Sequence, residues 1–137
     1  MEEKQAIRSG RHCVFAMHIH LIFLTKYRRN VFDGDAIERL GEHFRRVAND
    51  FEAKVVECKG EDNHIHLLVE YHPKISISSL VRSMKGVSSR MLRQERPDIA
   101  QHYWKNQLWS PSYFAASCGG APLEIIQQYV EQQNRPL

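Results

Sequence analysis

Two hydrophobic periods share this 137-residue chain, one of two residues and one near 3.6, and the order in which they alternate outlines a fold. Residues 12–25, HCVFAMHIHLIFLT, are a nearly continuous apolar run rich in Val, Ile and Phe with no helical spacing, which predicts a central strand buried on both faces. Asp35 and Glu38 then stand at the spacing of a helix N-cap and its reciprocal glutamate. Ile37, Leu40, Gly41, Phe44, Val47, Ala48 and Phe51 follow at i, i+3, i+4 and i+7 steps, the apolar stripe of a first amphipathic helix. Lys54 to Lys59 reads as a second strand. The polar link Gly60-Glu61-Asp62-Asn63 turns it into a third, and so short a link implies an antiparallel hairpin, closed by Pro73. Ser76 to Gln94 is a second helix, with Ile77, Leu80, Val81, Met84, Val87 and Met91 on one side. Pro97 ends it, Gln101 to Gln107 is a loop, and Leu108 to Ala116 is a fourth strand entered through an irregular, proline-containing segment. Gly119-Gly120 breaks the chain, and Pro122 suits the first position of a last helix, Leu123 to Gln133.

The order β-α-β-β-α-β plus one helix, with short links and right-handed crossovers, predicts an α+β protein. It has a four-stranded antiparallel sheet covered by two helices on one face, the ferredoxin-like arrangement also used by RRM modules. The length suits one domain, with residues 12–116 as its core and 122–134 as an appended helix. In this arrangement the first and third strands are the central pair.

The third strand carries His64-Ile65-His66. Residues alternate faces along a strand, so both imidazoles project from one side while Ile65, Leu67 and Val69 point to the other. Two imidazoles side by side on a rigid strand are half of a metal site. His18-Ile19-His20 on the first strand has the same spacing, and periodicity cannot tell the pairs apart. The polar hairpin Glu61-Asp62-Asn63 places the second pair near a strand end and open to ligand. The first pair lies in the most apolar run of the chain, where buried neutral histidines are expected, with His20 as a partner to a ligating histidine.

On the last helix Tyr129 and Gln133 stand four residues apart on one face. A phenol, with a pKa near 10, is a poor nucleophile at neutral pH, but it is suited to attack a phosphorus whose charge a metal has neutralised. The amide oxygen of Gln133 would complete a three-ligand set with His64 and His66, leaving positions open for phosphate oxygens. Such mixed nitrogen and oxygen ligation suits magnesium or manganese better than structural zinc, which takes four closed ligands. Helix and strand meet only if the tertiary structure brings them together.

The net charge of +3 is mild and by itself names no partner. Its distribution says more. Lys26-Tyr27-Arg28-Arg29 closes the first strand, and Arg82, Lys85, Ser89, Arg93 and Arg96 share a narrow arc of the second helix with almost no acid among them, so a polyanion is a candidate partner. Trp104, Trp109 and Tyr113 could stack on bases, although core packing accounts for at least one tryptophan. Three dispersed cysteines, Cys13, Cys58 and Cys118, argue against a disulfide framework. The run from Val14 to Leu24 falls short of the roughly 20 residues of a membrane span. There is no signal-peptide pattern either, so a cytoplasmic protein is expected.

His64-Ile65-His66 resembles the HUH motif, and Tyr129-Val-Glu-Gln-Gln133 resembles the tyrosine helix of the single-tyrosine HUH transposases of small bacterial and archaeal insertion sequences. The resemblance extends to Thr25-Lys26-Tyr27-Arg28, to Lys85-Gly86-Val-Ser88-Ser89-Arg90 and to Leu108-Trp109-Ser-Pro111-Ser-Tyr113, in the family's order along nearly the whole chain. It implies that Tyr129 attacks a scissile phosphate to give a 5′-phosphotyrosine and a free 3′-hydroxyl. It also implies that His64, His66 and Gln133 hold one magnesium or manganese ion. The implied substrate is single-stranded DNA with hairpin ends, bound by a homodimer whose sheets join. Lys26, Arg28, Arg29, Arg82, Lys85, Ser89 and Arg93 would belong to its DNA surface. Met1 to Arg11 matches nothing specific. A non-catalytic RRM-like module is the alternative of a different class, but such modules display aromatics where this third strand displays histidines. A domesticated HUH endonuclease that no longer mobilises DNA is the other alternative.

Overall fold

The computed structural model describes residues 8–9, 14–15, 17–103, 106–117 and 130–131. Its strands are β1 (Arg8–Ser9), β2 (Val14–Phe15), β3 (Met17–Leu24), β4 (Lys54–Glu61), β5 (His64–Tyr71) and β6 (Phe114–Ser117). The helices are α1 (Gly34–Asp50), α2 (Ile77–Glu95) and the short α3 (Pro97–Ala100). Four strands form one antiparallel sheet in the order β4-β5-β3-β6, so the predicted ferredoxin-like topology and its central pair are both present.

Alternation along β3 and β5 sorts the sheet into two faces. Ile19, Leu21 and Phe23 with Ile65, Leu67 and Val69 join Leu40 and Phe44 of α1 and Leu80 and Met84 of α2 in the main core. Each such fully buried side chain contributes about 1.5–3 kcal/mol of transfer free energy. The other face carries His18, His20, Ile22 and Leu24 opposite Glu70, Leu68, His66 and His64 in that order. There Ile22 and Leu24 form a second small apolar cluster with Phe114 and Val130.

Several boundaries differ from the sequence reading. The first predicted strand divides, because Val14–Phe15 pairs with Arg8–Ser9 in a separate ribbon. The hairpin is tighter than expected. Gly60 and Glu61 stay in β4, leaving Asp62-Asn63 as the turn. Gly60 allows α1 to approach, since a Cβ there would lie 2.7 Å from Ile65 Cδ1 and 2.9 Å from Ile37 Cγ1. The N-cap of α1 is Asp33, whose carboxylate accepts from Ala36 N, and not Asp35. Asp35 instead joins Asp33 and Asp98 around the guanidinium of Arg96. That guanidinium holds the carboxyls of Asp33 and Asp98 below the usual carboxylate range, and Arg39 together with Arg96 does the same for Asp35, so the last cation of the basic stripe is neutralised. Pro97 ends α2 as expected but also opens α3, a short helix the sequence reading did not anticipate, and the fourth strand begins only at Phe114. Trp109 contributes a single bridge to Thr25. Among the described residues no helix is long and apolar enough to cross a membrane.

Candidate active site

His64 and His66 are both half-buried on the face that α1 and α2 leave uncovered. Nδ1 of His64 donates to Oδ1 of Asn63 at 3.0 Å, which fixes the tautomer and leaves the Nε2 lone pair available. Nε2 of His66 is 3.0 Å from Nδ1 of His20, with the two rings tilted and 5.2 Å apart. Burial pushes the pKa of both ligand candidates down. Glu61 and Asp62 partly oppose it at His64, and His20 reinforces it at His66. Both imidazoles are thus neutral near pH 7, the form that binds a metal.

The two histidine pairs, indistinguishable by spacing, separate once the strands are in register. His20 sits one step from Ile22, the partner of His66, and reaches across to it. His18 lies opposite Glu70 at the far end of β5, with Nε2 3.5 Å from its carboxylate and both side chains 4% exposed. This is a buried pair, remote from His64 along the strands. Two neutral nitrogen donors on one face fit a divalent cation with oxygen ligands still to be supplied. Among the described residues no third His, Cys, Asp or Glu completes a ligand cluster. Gln133 and Tyr129 lie outside the described residues. Their neighbours Val130 and Glu131 are helical, and Val130 packs on Ile22 and Leu24, the cross-strand partners of His66 and His64. Tyr103 makes a poor nucleophile, because burial pushes its phenol up to about 12.

The expected DNA contacts fall into two groups. At the end of β3, Lys26 and Arg28 are half-buried and Arg29 is exposed, on a segment bonded to the histidine hairpin through Thr25 N to Asn63 O (2.9 Å) and Phe32 N to Asp62 O (2.9 Å). Lys26 donates to Gln107 Oε1. Tyr27 and Arg28 both adopt the left-handed region, at φ 61° and 51°, a conformation costing about 1–2 kcal/mol per non-glycine residue.

The second group lies on α2. Lys85 Nζ donates to the carbonyls of Ser110 (2.6 Å), Pro111 (3.3 Å) and Ser112 (3.4 Å), and burial pushes its pKa down. Arg93 bonds Ser89 Oγ and Asn106 Oδ1, while Leu108 N donates to Ser89 Oγ. The middle of the basic stripe therefore straps residues 106–112 to α2. Arg82 is exposed beside a groove of about 330 Å³ lined also by Ser78, Val81, Lys85, Pro111 and Tyr113. Trp109 belongs to the core. It is 5% exposed, packed against Phe23, Phe32 and Phe44, with Nε1 donating to Ser88 Oγ at 3.0 Å. Trp104 lies outside the described residues. Sequence reasoning gave no signal for the Lys85 strap, because its acceptors are backbone carbonyls that any residue carries.

The family model of IS200-like transposases matches residues 13–133, nearly the whole chain, and the chain belongs to that family. It is 30% identical to the ISDra2 transposase TnpA of Deinococcus radiodurans over 128 residues, covering 93% of this chain and 91% of that protein. The transposase for insertion sequence element IS200 of Salmonella typhimurium is also 30% identical over 132 residues, covering 96% and 84%. A crystal structure of a protein assigned as a transposase in Deinococcus radiodurans R1 superposes with a TM-score of 0.82 at 30% identity, covering 94% of this chain and 99% of that one. The REP-associated tyrosine transposase bound to a REP hairpin shares the fold at a TM-score of 0.55 and 14% identity, covering 90% and 67%. Transposition of DNA is thus the activity of the family to which this chain belongs.

Proposed function

We propose that this transposase binds hairpins at the ends of an insertion sequence and cleaves and rejoins single-stranded DNA through Tyr129. The observation that carries the reading is the packing of Val130, next in sequence to Tyr129, on Ile22 and Leu24, which pair directly with His66 and His64. The phenol oxygen attacks the scissile phosphorus, its proton is released, and the bond to the 3′-oxygen breaks as that oxygen takes up a proton. The products are a 5′-phosphotyrosine and a 3′-hydroxyl. The retained phosphoester lets a second 3′-hydroxyl reverse the step and join strands without ATP. His64, His66 and Gln133 would hold a magnesium or manganese ion, which supplies charge neutralisation at the phosphate oxygens. Asn63 orients His64 for this role. The chain is assigned to act as a homodimer on hairpin-ended single strands.

Lys26, Arg28, Arg29 and Arg82 are assigned to phosphate contacts. Lys85, Ser89 and Arg93, first expected among them, are better supported as the clamp on residues 106–112. The RRM-like binding-module reading has less support, since family membership brings a transposase activity and the displayed strand carries histidines.

The test is incubation of the protein with labelled single-stranded hairpin DNA from its element's ends plus magnesium, looking for a denaturation-resistant adduct. Tyr129→Phe is expected to leave no adduct while hairpin binding persists; lost binding would mean that the residue's role is misread. His64→Ala and His66→Ala should each lower cleavage by more than about 100-fold, the upper range for residues that only support a ligand. His18→Ala should retain it. Activity lost only in the His18 variant would assign the metal to the other pair.

A further inference from the structure

We infer that Tyr27 is a stacking platform for one base of the single strand held beside His64, which deepens and rests on the proposed DNA-strand-cleaving function. Tyr27 is the most exposed large hydrophobic residue among those described, at 61%. It stands there because Tyr27 and Arg28 are both held at positive φ, a conformation that glycine adopts without strain. The surrounding bonds over-determine that turn. Thr25 Oγ1 donates to Arg29 O at 2.8 Å, Arg28 N donates to Thr25 O at 3.0 Å, and Lys26 N donates to Leu108 O at 2.8 Å. A structure that pins a strained turn this firmly, and keeps a tyrosine where glycine would be easier, makes use of the ring it projects.

The neighbours of the ring suit a nucleic acid. Lys26 Nζ and the Arg29 guanidinium lie 5.4 and 5.2 Å from its centroid, and Arg29 is also 5.5 Å from the ring of Tyr103. The contacts of Lys26 and Arg29 with Tyr27 lie on an exposed ring, where each is worth about two- to fivefold in an equilibrium, whereas a base stacked on an aromatic is worth about 5- to 150-fold. A base can therefore displace them. The released cations then stand within reach of the phosphates on either side of it.

Position ties the platform to the reaction. Leu24 pairs with His64, and Thr25 N bonds Asn63 O, so Tyr27 leaves the sheet at the end where His64 stands. Stacking is indifferent to base identity, so the platform would hold the strand's path near the scissile phosphate and leave recognition of the hairpin to other residues.

The experiment measures binding of a fluorescein-labelled oligothymidylate, and of the same oligomer carrying a single 2-aminopurine, to the wild-type chain, Tyr27→Ala, Tyr27→Gly and Tyr27→Trp. Expected are quenching of 2-aminopurine by the wild type and by Tyr27→Trp, and affinity about 5- to 150-fold weaker with quenching lost in the Ala and Gly variants. The Gly variant adopts the same positive φ without strain, so its weaker binding would not come from a strained turn. Wild-type affinity in the Ala and Gly variants, or absence of quenching by the wild type, would overturn the inference. Failure of the cleavage reading is separate: stacking intact at Tyr27 with no DNA adduct at Tyr129 would overturn that reading and leave this one standing.

Discussion

His66 makes one hydrogen bond that decides how an ion can reach it. Its Nε2 faces Nδ1 of His20, on the side away from His64, so an ion shared with His64 through that atom must displace His20. A net hydrogen bond is worth about 1 kcal/mol. His20→Ala is therefore expected to tighten manganese binding about fivefold in a calorimetric titration of the protein. Weaker binding instead would mean that His66 ligates through Nδ1 while His20 orients it. That each histidine pair shares one face of its own strand was legible in the sequence from the two-residue period. The arrangement of the two pairs across the sheet, with His20 beside His66 and His18 remote beside Glu70, was not. It depends on register, on His20 standing opposite Leu68 and His18 opposite Glu70, and no local pattern carries that information.

At the scale of the element, α2 matches its sequence reading closely, with Ser76 as N-cap and Leu80, Val81 and Met84 buried. A stripe of apolar residues at period 3.6 has few alternatives to a helix packed on a core. The N-cap of α1 was misplaced by two residues because Asp33 and Asp35 are chemically alike, and only the backbone settles which one faces the free N–H groups. The polar face of α2 was harder still to read. Lys85 has the sequence context of a phosphate contact, but three backbone carbonyls surround its ammonium. Bonds to a charged donor contribute about 1.5–3 kcal/mol. Lys85→Met is thus expected to lower stability by about 2 kcal/mol, read from the urea midpoint, while leaving the salt dependence of DNA binding as in the wild type. Unchanged stability with a salt slope reduced by about one would return Lys85 to the DNA surface.

For the whole molecule, the sheet's two edges differ in how they meet another chain. The β4 edge alternates Lys54, Glu57, Lys59 and Glu61 on the histidine face and carries a register shift between Val55 and Glu57, both of which discourage strand pairing. The β6 edge is Phe114-Ala115-Ala116-Ser117, uncharged, with Ala115 and Ser117 exposed, and among the described residues no strand covers its outer side. A homodimer whose sheets join is therefore expected to join through β6. Four residues of strand span about 13 Å, too little for the roughly 800 Å² per partner of a stable interface, so segments flanking β6 must contribute as well. Ala115→Lys should then give a folded monomer by light scattering where the wild type is expected to give a dimer, and a variant that stays dimeric would exclude this edge. The same variant tests in which subunit the proposed nucleophile Tyr129 acts. Val130, next in sequence to Tyr129, packs on its own chain's Ile22 and Leu24, the cross-strand partners of His66 and His64. The monomer is accordingly expected to keep forming the Tyr129 adduct. A monomer that binds hairpin DNA but forms no adduct would mean that each tyrosine serves the histidines of the other subunit.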